Sequence, residues 1–263
     1  MVKKAGRHIF SRAKAIFLDL GFDAFNNFHY LRHNLRGNRV RKQYFTADAE
    51  HPPVILLQGF LGTRGVLLPL EKHLRESGRD VISIDLGMFN VTDIRKSAQL
   101  LSYKMERIMD RFGNSHGITK VDVIGHSMGG LIGLYYIKRL GGHRLVRKLI
   151  TLGAPFNGTW TSVLGVFPFG LLSKGIWQML PNSEFLKSLK SHPHETQSTE
   201  VVSIAASFDA LCPPASCHLH GAKNIDVAVG HAGLLMDKKV FQSIDECLAE
   251  KSRGNKVVNL TRP

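Results

Sequence analysis

Residues 121–140, VDVIGHSMGGLIGLYYIKRL, join a β-branched apolar run to a helical pattern through a glycine-rich turn, with no room for a loop between them. A strand that runs straight into a helix is half of a βαβ unit, and such units belong to sheets with parallel strands and helical crossovers. Five further runs have the same character: Val54–Gln58, Val81–Asp85, Lys148–Leu152, Val201–Ala206 and Ile225–Val229. Most lack polar alternation, as strands buried on both faces do. Helical spacing fills the intervals. Ile94, Ala98, Leu101, Met105, Ile108 and Phe112 share one stripe, residues 128–140 continue from the turn, and Leu234–Glu250 closes the series. The expected fold is α/β, a doubly wound and mostly parallel sheet.

Two segments stand outside the alternation. Residues 155–195 are rich in Phe, Trp and Leu and punctuated by Gly and Pro. A connection this long between strands reads as an inserted functional element, a lid or cap. Residues 1–45 form a basic arm with ten Lys/Arg and two Asp, a charge of +8 out of +14 for all 263 residues. Its apolar residues Phe10, Ala13, Phe17, Leu20, Ala24, Phe28, Leu31 and Leu35 recur at helical spacing. Such a helix fits two places: packed on the body, or lying in an anionic membrane interface. No nucleic-acid-binding motif accompanies the charge, so no nucleic-acid partner is expected. The chain therefore divides into the arm, 1–45, and an α/β domain, 46–263, carrying the insertion.

Three cysteines do not make a disulfide framework, and free thiols are expected, with a Cys212–Cys217 bridge as the alternative. The C-x4-C-H-x-H spacing from Cys212 to His220 fits no common zinc pattern, and no metal is expected. The apolar stretch AIFL stops at Asp19, too short for a signal core, and the uncharged run Leu149–Ser173 holds two Pro and four Gly. The expectation is a cytoplasmic protein with no spanning helix, at most peripheral on the inner face of a membrane.

The chemistry centres on Gly125-His126-Ser127-Met128-Gly129, a G-x-S-x-G pattern. Gly113-Asn114-Ser115-His116-Gly117 matches too, but it follows a helical stripe and leads into a strand, whereas the reactive motif needs a strand before it and a helix after it. At Ser127 a sharp turn projects Oγ from the sheet edge, and the Met128 N–H sits at a helix N-terminus, where it can stabilise an oxyanion. The Gly-rich end of the first strand, Gln58-Gly59-Phe60-Leu61-Gly62, makes the Phe60 N–H the candidate second donor. Among thirteen histidines, His231 follows the last strand in a Gly-flanked turn, and Asp209 follows the strand before it. Both lie just past carboxyl ends of strands, where open α/β sheets bind ligands. Asp226 as the acid and His220 as the base are the alternatives. The order Ser127, Asp209, His231 is that of a hydrolase triad on this architecture.

In these residues the chain resembles α/β-hydrolases of the bacterial lipase/esterase type. QGFLGT is similar to that group's HGFxGT segment, with Gln58 in place of the usual His. GHSMGG is similar to its nucleophile elbow, and ITLGAPFNGT to its TLGTPHxGT segment, with Phe156-Asn157 in place of the His-containing pair. SFDALCPP and GHAGLL are similar to the stretches around its catalytic acid and histidine. The resemblance implies a serine hydrolase of carboxylic esters that needs no cofactor. Trp160, Phe167, Phe169, Trp177 and Met179 of the insertion are the candidate acyl-binding wall or lid. Lid and arm together suggest lipid-like esters at an anionic surface. An acyltransferase, phospholipase or thioesterase on the same scaffold, or a non-catalytic membrane-binding module, are the alternatives.

Overall fold

In the computed structural model, residues 23–38, 51–113, 117–161, 173–190 and 198–250 are described. Six strands form one sheet: β1 (Val54–Leu57), β2 (Val81–Ile84), β3 (Val121–His126), β4 (Val146–Leu152), β5 (Glu200–Ala206) and β6 (Lys223–Val227). Their order is β2-β1-β3-β4-β5-β6, and every neighbouring pair is parallel. Each coincides with one of the six runs expected from sequence, within two residues at either end.

The helices are α1 (Ala24–Asn34), α2 (Leu68–Glu76), α3 (Ile94–Ile108), α4 (Met128–Arg139), α5 (Lys174–Gln178), α6 (Glu184–Lys190), α7 (Pro214–Cys217) and α8 (Lys238–Ala249). Local signals set the ends of several. Asp93 caps α3 by accepting the Arg95 N–H, and Asp237 caps α8 by accepting that of Lys239. The second cap divides the expected 234–250 helix into a 3₁₀ turn, Ala232–Leu235, and α8.

Strand alternation sorts the core into two layers. Ile55 and Leu57 of β1 join α3, α4 and α6 on one face of the sheet. Val54 and Leu56 join α2 and α8 on the other. All four are fully buried, and burying a side chain of this size contributes about 1.5–3 kcal/mol. Two apolar faces per strand explain why most of the runs show no polar alternation.

This winding fixes where a ligand can bind. From β1 the chain goes to β2 on one side, then returns to β3 on the other side of β1. The two connections leave a crevice beyond the carboxyl ends of β1 and β3, the topological switch point.

The described part of the arm, α1, packs on the body, but not through its apolar stripe. A helix packed on the body should bury its apolar stripe, yet Phe28, Leu31 and Leu35 are exposed, as is Phe25. Instead α1 meets the body through Asp23, Asn34 and Tyr30. The arm before residue 23 lies outside the described residues. Among those described, no helix is long and apolar enough to cross a membrane.

Candidate active site

Ser127 stands at the switch point. It ends β3 and caps α4 with φ 52° and ψ −123°, a region that non-glycine residues rarely occupy. The conformation is held from both sides: its N–H donates to the Leu152 carbonyl at 2.8 Å, and its carbonyl accepts the Gly130 N–H at 2.9 Å. The glycines around it are required by close approach. A Cβ on Gly125 would lie 2.6 Å from backbone atoms of Gly129, and one on Gly59 would lie 2.9 Å from the Ser127 Cβ. Ser127 is partly exposed between the buried His126 and Met128, so its hydroxyl can be reached.

The loop after β1 therefore rests directly on the elbow. It holds Gly59 and the half-buried Phe60, followed by Leu61 at φ 55°. Asn90 braces its start by donating from Nδ2 to the Gln58 carbonyl at 3.0 Å. Met128, the other candidate donor, is the first residue of α4 and fully buried.

Asp209 and His231 meet across the loops after β5 and β6. Asp209 Oδ2 lies 2.5 Å from His231 Nδ1, and Oδ1 accepts the Cys212 N–H at 2.7 Å. The Asp209 side chain is fully buried and that of His231 is 15% exposed, so the pair is dry at the acid and open at the base. Of the alternatives, Asp226 pairs with His218 at 2.8 Å, and His220 is exposed.

Cys212 joins the pair to the serine. Its thiol lies against the Ser127 hydroxyl. One ligand atom each of Asp209, Cys212 and His231 lies within 4.8 Å of the others. Burial, and then the Asp209 charge, push this thiol well above its ordinary pKa, so it stays protonated beside the serine. All three cysteines are free and buried. Among the described residues, the grouped side chains suited to a metal are those of Asp209, Cys212 and His231, not the Cys212-to-His220 series.

Beneath the site, the buried His126 ring faces the His231 backbone, and the buried Gln58 carboxamide meets no partner in hydrogen-bonding geometry. The His126 ring centroid lies 4.7 Å from that of His231. Burial first, and the nearby His231 second, hold His126 well below the ordinary histidine range. It is therefore a neutral ring wedged under the candidate base.

The insertion crosses the same edge. Gln178 of α5 accepts the Ile94 N–H at 2.8 Å and donates to Asp93 at 2.7 Å, and Ser173 Oγ donates to the Val91 carbonyl at 2.7 Å. Gly175 sits against the Met128 sulfur. Trp160 and Trp177 are 52% and 49% exposed, whereas Met179 is buried. Phe167 and Phe169 lie outside the described residues, as does Ser115 of the second G-x-S-x-G match. Sequence reasoning missed Cys212, Asn90 and His126. Only Cys212 had a usable signal, its place three residues after the acid.

A strained serine between strand and helix, at the switch point of a parallel sheet and near an Asp–His pair, defines the nucleophile-elbow class of α/β proteins. The comparisons agree. A family model described as alpha/beta hydrolase fold matches residues 52–179. Among solved structures, Aspergillus fumigatus lipase B is 18% identical with a TM-score of 0.65, covering 82% of this chain and 57% of that one. Bacillus licheniformis lipase BlEst2 in mature form is 18% identical with a TM-score of 0.65, covering 79% and 96%. Its propeptide form gives 17% and 0.67, covering 82% and 54%. This chain thus spans little more than half of the Aspergillus and propeptide chains. The chain has the α/β-hydrolase fold.

Proposed function

We propose that the protein is a serine hydrolase of carboxylic esters, with Ser127 as nucleophile, His231 as general base and Asp209 as its orienting acid. The observation that carries this reading is the strained, reachable Ser127 beside the 2.5 Å Asp209–His231 contact. His231 takes the Ser127 proton as Oγ attacks the ester carbonyl. The Phe60 and Met128 N–H groups hold the oxyanion, and such a donor typically contributes on the order of 3 kcal/mol. Collapse expels the alcohol, protonated by His231, and leaves an acyl-serine. Water, deprotonated by His231, then releases the acid.

The substrate in this reading is a lipid-like ester, so the enzyme is a lipase or long-chain carboxylesterase. Eleven large apolar side chains are exposed among the described residues, and ten of them belong to α1 and its C-cap, to the loops that follow β1, β2 and β5, or to the 155–195 insertion. Those ten are Phe25, Phe28, Leu31, Leu35, Leu61, Phe89, Val91, Trp160, Trp177 and Phe208; Tyr103 is the exception. Apolar surface gathered at one edge marks a binding face rather than scattered exposure. With Arg32 on α1 and Arg36 just after it, that edge suits peripheral contact with an anionic lipid surface.

Hydrolysis of p-nitrophenyl esters from short to long acyl chains, by wild type and Ser127→Ala, tests the reading. The expected result is activity that vanishes in the variant and peaks on long chains. Activity that survives in Ser127→Ala sinks the assignment. Product analysis with alcohol acceptors separates hydrolysis from acyl transfer.

A further inference from the structure

Helix α1 turns its polar side inward, and both ends of that side meet loops of the candidate site. At its start, Asp23 Oδ2 accepts the Gly233 N–H at 2.9 Å, and the same carboxylate meets the Gly230 backbone. Those two glycines flank His231. At its end, Asn34 Oδ1 accepts the Thr63 N–H at 2.8 Å, and Asn34 Nδ2 donates to the Leu61 carbonyl at 3.0 Å. The Asn34 carbonyl in turn accepts the Thr63 hydroxyl at 2.9 Å. Two more bonds follow: Asn38 Oδ1 accepts the Arg64 N–H at 2.9 Å, and the Gly37 carbonyl accepts that of Gly65 at 3.1 Å.

We propose that α1 is a brace for the active site, with Asp23 and Asn34 as positioning residues that hold the His231 turn and the Phe60 loop in fixed relation. The inference rests on the serine-hydrolase reading. Asp209 fixes the His231 ring through Nδ1, but the ring's direction also depends on the backbone that carries it. Asp23 grips that backbone on both sides. The Phe60 loop needs support for a different reason. Leu61 holds φ 55°, which a leucine keeps only when its surroundings over-determine it. Asn34 binds the carbonyl of Leu61 and the N–H two residues on, pinning the strained residue from both sides. A helix suits this task because its own hydrogen bonds keep its length fixed, about 16 Å for eleven residues. Catalysis of this kind needs donor and base set before the substrate arrives.

The test compares Asn34→Ala, Asp23→Ala and Asp23→Asn with wild type on a water-soluble p-nitrophenyl ester, with rates expressed per folded molecule from circular dichroism. Asn keeps an oxygen for the Gly233 N–H, so it serves as the conservative control. The brace predicts a kcat at least tenfold lower in each Ala variant, KM within twofold, and Asp23→Asn within threefold of wild type. Hydrogen exchange provides a readout independent of catalysis. The Thr63 amide should lose protection in Asn34→Ala, and the Gly233 amide in Asp23→Ala. Unchanged kcat per folded molecule, or unchanged exchange at both amides, overturns the brace. A wild type that cleaves no ester, or a fully active Ser127→Ala, overturns the hydrolase reading instead, and exchange still decides whether α1 holds the two loops.

Discussion

Cys212 gives its backbone N–H to the Asp209 carboxylate at 2.7 Å while its thiol rests against the Ser127 hydroxyl, so one residue reaches both ends of the proposed triad. The two contacts differ in kind. The first belongs to the backbone and survives any non-proline substitution; the second belongs to the side chain. Cys212→Ala should therefore keep kcat within about threefold of wild type and lower stability by about 1 kcal/mol for the space it opens. Asp209→Asn leaves His231 without its carboxylate and should lower kcat on the order of 10⁴-fold. Steady-state kinetics on one ester, with a urea melt of each variant, checks both.

The contact of Gly59 with the elbow allows a second prediction. In Gly59→Ala the new Cβ would lie 2.9 Å from both the His126 carbonyl and the Ser127 Cβ. The carbonyl is backbone and cannot swing away, so the loop carrying Phe60 must retreat. The expected result is a stability loss of about 1–3 kcal/mol together with a kcat loss of at least 100-fold. Wild-type turnover in this variant would mean that the loop does not supply a donor.

His126 makes stability depend on pH. Burial holds its folded-state pKa well below that of an ordinary histidine. Above about pH 6.5 the ring is neutral in both states and adds no dependence. Below that value the unfolded chain binds a proton that the native ring refuses. Stability then falls with pH, with a limiting slope of about 1.4 kcal/mol per unit from this group, until the depressed native pKa is reached. His126→Phe keeps a ring in the slot without the titration. Urea melts between pH 7.5 and 5 should show a shallower decline in the variant, and parallel declines would refute the assignment.

Much of this architecture was legible in the chain because burial on both faces leaves a plain mark. Most of the six strands are apolar runs without alternation, the edge strand β6 being the exception, and each ends within two residues of its expected boundary. That Ser127, Asp209 and His231 each follow the carboxyl end of a strand was also legible. The arm was not. Its stripe Phe28, Leu31 and Leu35 fitted two places, against the body or in a membrane interface, and in the structure α1 meets the body with those side chains exposed. Periodicity reports which side of a helix is apolar, not which side the fold covers. Here Asp23 and Asn34 bond the backbone of distant loops, and a hydrogen bond to backbone leaves no pattern in the partner's sequence.

At the opposite end of the sheet, Lys148 separates stability from function. It is fully buried on β4, and its ammonium donates to the Cys247 carbonyl and, at 3.2 Å, to that of Glu250. It also lies 3.2 Å from the Glu200 carboxylate. These contacts tie the end of α8 to the amino-terminal ends of β4 and β5. Lys148→Met keeps most of the volume but leaves two carbonyls without this donor and Glu200 without its cation. Losing one partner of a fully buried pair costs about 3–5 kcal/mol. Glu200 retains some solvent, so about 2–4 kcal/mol is expected here. The site lies beyond the other end of the strands and shares no hydrogen bond with Lys148. The variant should therefore melt at distinctly lower urea while kcat, measured well below its melting temperature, stays within twofold of wild type.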